Sequence, residues 1–278
     1  MELKSLRRHA LMKAHYTALR LLKRERPGAQ RVAMFHIGRV GSTVLARQLG
    51  QHPDIRWHGE IFEPEHKKFT ANHGKRPYRM PRDPLWKLRY ALYRQDRRWL
   101  GFEMKFMPQH HLKLTNQTME EFLETLTGLG FSHYIVLRRR NLLRRFVSGA
   151  ILERTRRAHR PEGGAAPRNR INFDCDRIPL GEFHLPLLEA IDIVDAQHRR
   201  LDQLLVGREA LQLCYEDDIE TDPGEAYLKV CEFLRVPPAA VDIPLKRVNP
   251  YPLPELIENY DELESLLADT EHAWMLRA

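Results

Sequence analysis

Apolar residues along this chain come in short blocks, and longer stretches of helical spacing lie between them. Residues 31–37 (RVAMFHI) are mostly apolar and run into a glycine-containing loop, which predicts a strand. Residues 42–51 then place Val44, Leu45 and Leu49 at helical spacing, and His52-Pro53 stops the helix. A short second strand fits 55–58. Residues 101–106 (GFEMKF), 133–137 (HYIVL) and 210–215 (ALQLCY) predict three more. Helical patterns cover about 119–128, 141–157, 185–205 and 224–234. Strands alternating with helices predict an α/β fold with a parallel sheet covered on both faces.

Three stretches stand apart from this alternation. Residues 1–26 spell a basic amphipathic helix, ended by Pro27-Gly28. Packing on the body, pairing with a second copy and peripheral contact with an anionic inner membrane are all open to it. Residues 64–98 are basic, aromatic and Pro-punctuated, and 161–184 hold Pro161, Gly163, Gly164, Pro167 and Pro179. Both are expected to be irregular functional loops. With no internal repeat and no second hydrophobic core, the expected organisation is an N-terminal helix (1–28) and one domain (29–278).

Composition narrows the class. A chain of 278 residues that is 42% hydrophobic can bury a core without disulfides or metal. No apolar run approaches the ~20 residues of a spanning helix. Cys175, Cys214 and Cys231 are odd in number and widely spaced, with no zinc-type Cys/His spacing, so a cytoplasmic protein with reduced thiols is expected. Of the net charge of +8, residues 1–26 hold +6 (eight basic, two acidic), leaving +2 for the rest. The remaining fields are local. Residues 138–170 hold eleven arginines against two acids, which points to anionic partners at particular places.

The first strand feeds Gly38-Arg39-Val40-Gly41-Ser42-Thr43 and then a helix at once. Glycines let successive N–H groups point into one concavity, and the helix N-terminus adds donors and partial positive charge. With the Ser42 and Thr43 hydroxyls and Arg39, this forms a phosphate cradle. It is not a Walker A motif, because Gly38 and Gly41 are three apart and no Lys follows, so a Mg-nucleotide kinase is disfavoured. The fourth strand runs into Arg138-Arg139-Arg140-Asn141 and a helix carrying Ser148. That puts arginines at the C-terminal sheet edge, where open α/β sheets bind ligands.

On these two segments the chain resembles the sulfotransferases that use 3'-phosphoadenosine 5'-phosphosulfate (PAPS). GRVGSTVL is similar to their 5'-phosphosulfate loop, and RNLLRRFVS to their Arg-x7-Ser element for the 3'-phosphate, carried here by Arg140 and Ser148. HPDIRWHGEIFEP, GFEMKFMP, LQLCYEDDIETDP with VCEFLRVP, and KRVNPYPLPELIENYDEL resemble, in order, later segments of the bacterial carbohydrate group of nodulation-factor and trehalose type. The resemblance spans roughly 31–275. The chain departs from it at Arg39 for the commoner Lys, at Leu142-Leu143, and at Leu234-Arg235-Val236 where Leu-Gly-Val is usual.

The resemblance implies a three-layer, P-loop-like fold and sulfuryl transfer from PAPS to an acceptor hydroxyl, with no metal. It places Arg39, Gly41, Ser42, Thr43 and Val44 at the 5' end and Arg140 and Ser148 at the 3'-phosphate. Tyr215 would border the adenine or simply close the core. Arg39 and Lys105 would stabilise charge on the bridging oxygen. Glu60 is the expected base, with Glu63 and His58 as rivals and His110 and His111 as weaker ones. The expected acceptor is a carbohydrate or glycolipid, with Trp86, Tyr90, Tyr93 and Trp99 offering stacking faces. A basic nucleic-acid-binding protein fits the charge but lacks a recognition motif.

Overall fold

A computed structural model of the chain describes residues 30–72, 83–155, 160–161, 168–242, 245–246 and 250–277. The basic N-terminal segment 1–26 lies outside the described residues, as do 73–82 and 162–167 of the two expected loops.

Five strands form a parallel sheet: β1 (Arg31–His36), β2 (Ile55–Glu60), β3 (Trp99–Lys105), β4 (His133–Arg138) and β5 (Glu209–Cys214), in the order β2-β3-β1-β4-β5. The strand predicted for 210–215 ends at Cys214, and β2 runs two residues past the predicted 55–58. Central strands are apolar on both faces because helices cover both. Val32 to Phe35, Phe102, Met104 and Tyr134 to Leu137 are all buried. β1 is central, so loops after β1, β3 and β4 converge on one edge of the sheet.

Helix α1 (Ser42–Gln51) follows β1. Helices α2 (Glu63–Asn72) and α3 (Trp86–Tyr93) fall in the stretch expected to be irregular. Trp86 and Trp99 are buried in the core, which corrects their expected role as open stacking faces, whereas Tyr90 and Tyr93 stay partly exposed. Helix α4 (Met119–Gly128) starts with a capping box. Glu121 N–H donates to Thr118 Oγ1, and Thr118 N–H donates to the Glu121 carboxylate. Helix α5 (Leu142–Thr155) follows β4, and α6 (Leu187–Leu205) precedes β5. A small hairpin pairs Ile178–Leu180 with Phe183–Leu185, giving order to part of the second expected loop. Helix α7 (Pro223–Leu234) is capped by Asp222 and ends at Arg235 in the left-handed region (φ 55°).

Candidate active site

Beyond His36 the chain leaves the sheet through a loop in which Gly38 (φ 79°), Arg39 (60°) and Gly41 (84°) are all left-handed. Such a turn suits glycine and strains Arg39 by about 1 kcal/mol. Two contacts fix it from below. Gly38 N–H donates to His36 Nδ1 at 3.0 Å. The Arg145 guanidinium, from α5, donates to the carbonyls of Ile37 (3.0 Å) and Gly38 (3.4 Å). Helix α1 then begins at Ser42 with Gly41 as its N-cap, so no side chain caps its first donors and no acid sits in its first turn. A side chain at Gly41 would be strained by the left-handed backbone and crowded, since a Cβ would lie 3.0 Å from Ile219 and from Tyr215. Ser42 is buried at the turn, and Thr43 and Val44 are half-buried.

Arginines ring this loop. Arg39 donates from Nε and Nη2 to Ser148 Oγ, both at 3.1 Å, so the structure ties the two motifs together through a pair 109 residues apart. Arg139 donates to the Arg39 carbonyl at 3.4 Å and lies 4.4 Å from the centre of the Tyr215 ring. Burial lowers the Arg39 pKa, and Arg139 adds to that. Burial, together with Arg39, brings Arg145 down to about 10, which still leaves it charged at neutral pH. Arg140 faces solvent in a fork with Asp217 (2.5 and 2.7 Å) and does not meet Ser148. Glu216 accepts the Arg140 and Asn141 N–H groups at 3.0 Å each, closing the N-terminus of α5.

Next to the cradle lies a second group of charges. β2 carries a one-residue bulge between Trp57 and Glu60 against β3, with Gly59 left-handed (φ 61°), and this turns Glu60 toward Lys105. Lys105 Nζ sits 2.8 Å from Glu60 and 3.0 Å from Glu63. Lys105 N–H donates to His111 Nδ1 at 3.0 Å, so His111 carries its proton on Nε2 and donates it to Glu63 at 3.0 Å. Behind them, His36 Nε2 is fully buried, makes no hydrogen bond, and lies 3.4 Å from Glu103 and 3.9 Å from Glu60. Trp57 Nε1 donates to Glu103 at 3.1 Å.

This arrangement drives the two outer carboxyls apart. Burial raises Glu60, and the Lys105 ammonium only partly offsets it. Burial also pushes Glu63 up, but the His111 hydrogen bond and Lys105 outweigh it and hold Glu63 well below the carboxylate range. Burial would lower Lys105, yet the two carboxylates keep it above its ordinary value. Burial brings His111 down to about 4, and burial with Arg56 does the same for His58. His110 lies well below its ordinary value, again through burial. These three rivals are therefore neutral at pH 7, and Glu60 is the carboxylate disposed to take a proton.

Two trios have ligand-type atoms within 4.8 Å of one another, His36 with Glu60 and Glu103, and Glu63 with His66 and His111. In each the buried histidine takes a backbone N–H on Nδ1, so Nε2 bears hydrogen and has no lone pair to give a metal. In the second trio that hydrogen goes to Glu63, at 3.0 Å from His111 Nε2.

A cavity of about 580 Å³ opens over Glu60, bounded by Thr43, Arg47, Trp57, Glu63 and Lys67 among others. Sequence reasoning singled out Arg39, Glu60, Lys105 and Ser148 but passed over His36, Glu103, Arg145 and Trp57. One signal was present. Glu103 and Lys105 alternate on one face of an otherwise apolar strand, and a charge inside such a strand needs a partner.

No family model matches the sequence, and no curated protein matches it. Among solved structures, the chain is similar to the sulfotransferase from Alicyclobacillus acidocaldarius, with 15% identity and a TM-score of 0.44 over 90% of this chain and 95% of that one.

Proposed function

We propose that the protein is a sulfotransferase that moves a sulfuryl group from PAPS to the hydroxyl of a carbohydrate or glycolipid acceptor. The observation that carries this reading is the side-chain-free, acid-free start of α1, fed by the left-handed Gly38–Gly41 loop, which carries Arg39 and is braced from below by Arg145, with the Lys105–Glu60 pair adjoining it. Such a cradle suits a 5'-phosphosulfate, whose charge the α1 donors and arginines would hold. Arg140 and the Arg39–Ser148 pair lie on the α5 side, where the 3'-phosphate is assigned, with Tyr215 beside them.

PAPS supplies an activated sulfuryl group, and adenosine 3',5'-bisphosphate is what remains after transfer. The acceptor oxygen forms a bond to sulfur as the bond from sulfur to the bridging oxygen breaks. Glu60 takes the acceptor's proton. Lys105 and Arg39 stabilise the negative charge that the bridging oxygen gains. Glu63 and His111 keep the Lys105 ammonium in place.

Binding of nucleic acid is disfavoured by where the arginines go. Within 138–145, Arg138 pairs with Asp202, Arg140 with Asp217, and Arg144 and Arg145 bond to backbone carbonyls, so these four arginines do not form an open basic stripe. Among the described residues no helix is long and apolar enough to cross a membrane.

Calorimetric titration with adenosine 3',5'-bisphosphate, with ATP as control, tests the reading. Binding that exceeds ATP and weakens at least tenfold in Arg140→Ala is expected. No binding, or a preference for Mg-ATP, overturns it.

A further inference from the structure

The cavity over Glu60 has α1 as one wall. Thr43 and Arg47 lie one helical turn apart there, and Trp57, Glu60, Glu63 and Lys67 also line the space. The other charges on this lining are answered from within the protein. Glu60 is held by Lys105 at 2.8 Å, and Glu63 by Lys105 and His111 at 3.0 Å and by Lys67 at 3.4 Å. Glu103, deeper in, accepts from Trp57. Arg47 differs. Its side chain is exposed and its guanidinium has no hydrogen-bond or ion-pair partner among the described residues. Trp57 has its only N–H committed to Glu103, so toward the cavity it offers carbon surface.

We infer that the acceptor carries an anionic group, a carboxylate or a phosphate, besides the hydroxyl that receives the sulfuryl group, and that Arg47 binds this anion. The inference rests on the sulfotransferase reading and narrows its substrate class. A sugar ring bearing such a group matches the lining part by part. Its C–H face meets Trp57, one hydroxyl meets Glu60, and its anion meets a guanidinium built to fork onto carboxylate or phosphate. The volume of about 580 Å³ lies within the range of small-molecule sites.

Acceptors differing in one group separate the outcomes. An alkyl glucoside, the matching glucuronide and the matching 6-phosphate are titrated onto protein loaded with adenosine 3',5'-bisphosphate, using wild type, Arg47→Ala and Arg47→Glu. In wild type at least one anionic member is expected to bind about tenfold more tightly than the neutral glucoside. Arg47→Ala erases the difference and Arg47→Glu inverts it. The carboxylate and phosphate arms show which anion is preferred. Equal or tighter binding of the neutral glucoside, no binding by any member, or an equal loss for all three in Arg47→Ala overturns the inference. The nucleotide titration keeps the two failures distinct. Nucleotide binding without anion preference removes this inference alone, whereas no nucleotide binding removes the sulfotransferase reading and this one with it.

Discussion

Glu60 and Glu63 share one ammonium and are driven in opposite directions. Glu60 is left by burial with a raised pKa, whereas Glu63 gains enough from His111 and Lys105 to stay ionised in acid. If Glu60 is the base, it acts only when ionised, so the acid limb of kcat lies above the ordinary carboxylate value of 4.5. Glu60→Gln should lower kcat by about 10²–10⁴ and still bind nucleotide. A variant with wild-type kcat would remove Glu60 from the mechanism. Glu63 has a consequence for stability. Its pKa is lower folded than unfolded, so its contribution is fully present above 4.5 and is lost as pH falls from there. The melting-temperature gap between wild type and Glu63→Gln should therefore be largest near neutrality and close in acid, and a gap independent of pH counts against the Lys105–Glu63–His111 bonds. Glu60 and Lys105 were legible in the sequence through the segments HGEIFEP and GFEMKFMP, which carry the family resemblance. Their coupling to Glu63 and His111 was not, because those residues come from separate connections.

At the scale of elements, legibility followed burial. Central strands stand out because both faces are covered, so their residues read as apolar runs. Helices α2 and α3 were hidden because 65–98 holds eleven basic residues and repeated prolines, and α2 has no strong apolar stripe. The bulge in β2 was equally hidden, since Gly59 looks like any loop glycine until the β3 register is known. The end of α7 shows the converse, a local departure with a clear structural meaning. Arg235 stands where the resembling family commonly has glycine, and its backbone is left-handed all the same (φ 55°). Its N–H closes the helix end onto the carbonyls of Cys231 and Glu232, so the turn is formed at the expense of strain. Arg235→Gly should raise stability by roughly 0.5–1 kcal/mol, because the relieved strain exceeds the entropy of a freer unfolded chain. Denaturant unfolding measures it, and a loss of stability would mean that the Arg235 side chain contributes more than its backbone costs.

The whole molecule is organised by the meeting of two distant segments at the end of β1. The loop after β1 and the helix after β4 are about a hundred residues apart, yet Arg39 reaches Ser148 and Arg145 reaches the carbonyls of Ile37 and Gly38. That junction was beyond sequence reasoning, which saw each motif but not which arginine serves which partner. It brings Arg39, Arg139 and Arg145 close enough that Arg139 lowers the pKa of Arg39 and Arg39 lowers that of Arg145, a mark of mutual repulsion. Arg145 itself bonds only to carbonyls among the described residues. An anion in the cradle would relieve that repulsion and fill the uncapped start of α1. It should therefore stabilise the fold by a saturable amount, about 2.7 kcal/mol at a hundred times its dissociation constant. General screening is different, because it acts mainly on exposed pairs and does not saturate at a site. Thermal melts in sulfate and in chloride at equal ionic strength separate the two. Sulfate is expected to raise the melting temperature to a plateau that chloride does not reach. Gly41→Ala should abolish that plateau, since its Cβ would strain the turn and press on Ile219 and Tyr215. Identical curves in the two salts would show that the loop and the arginines do not form an anion site, and the nucleotide assignment would fall with them.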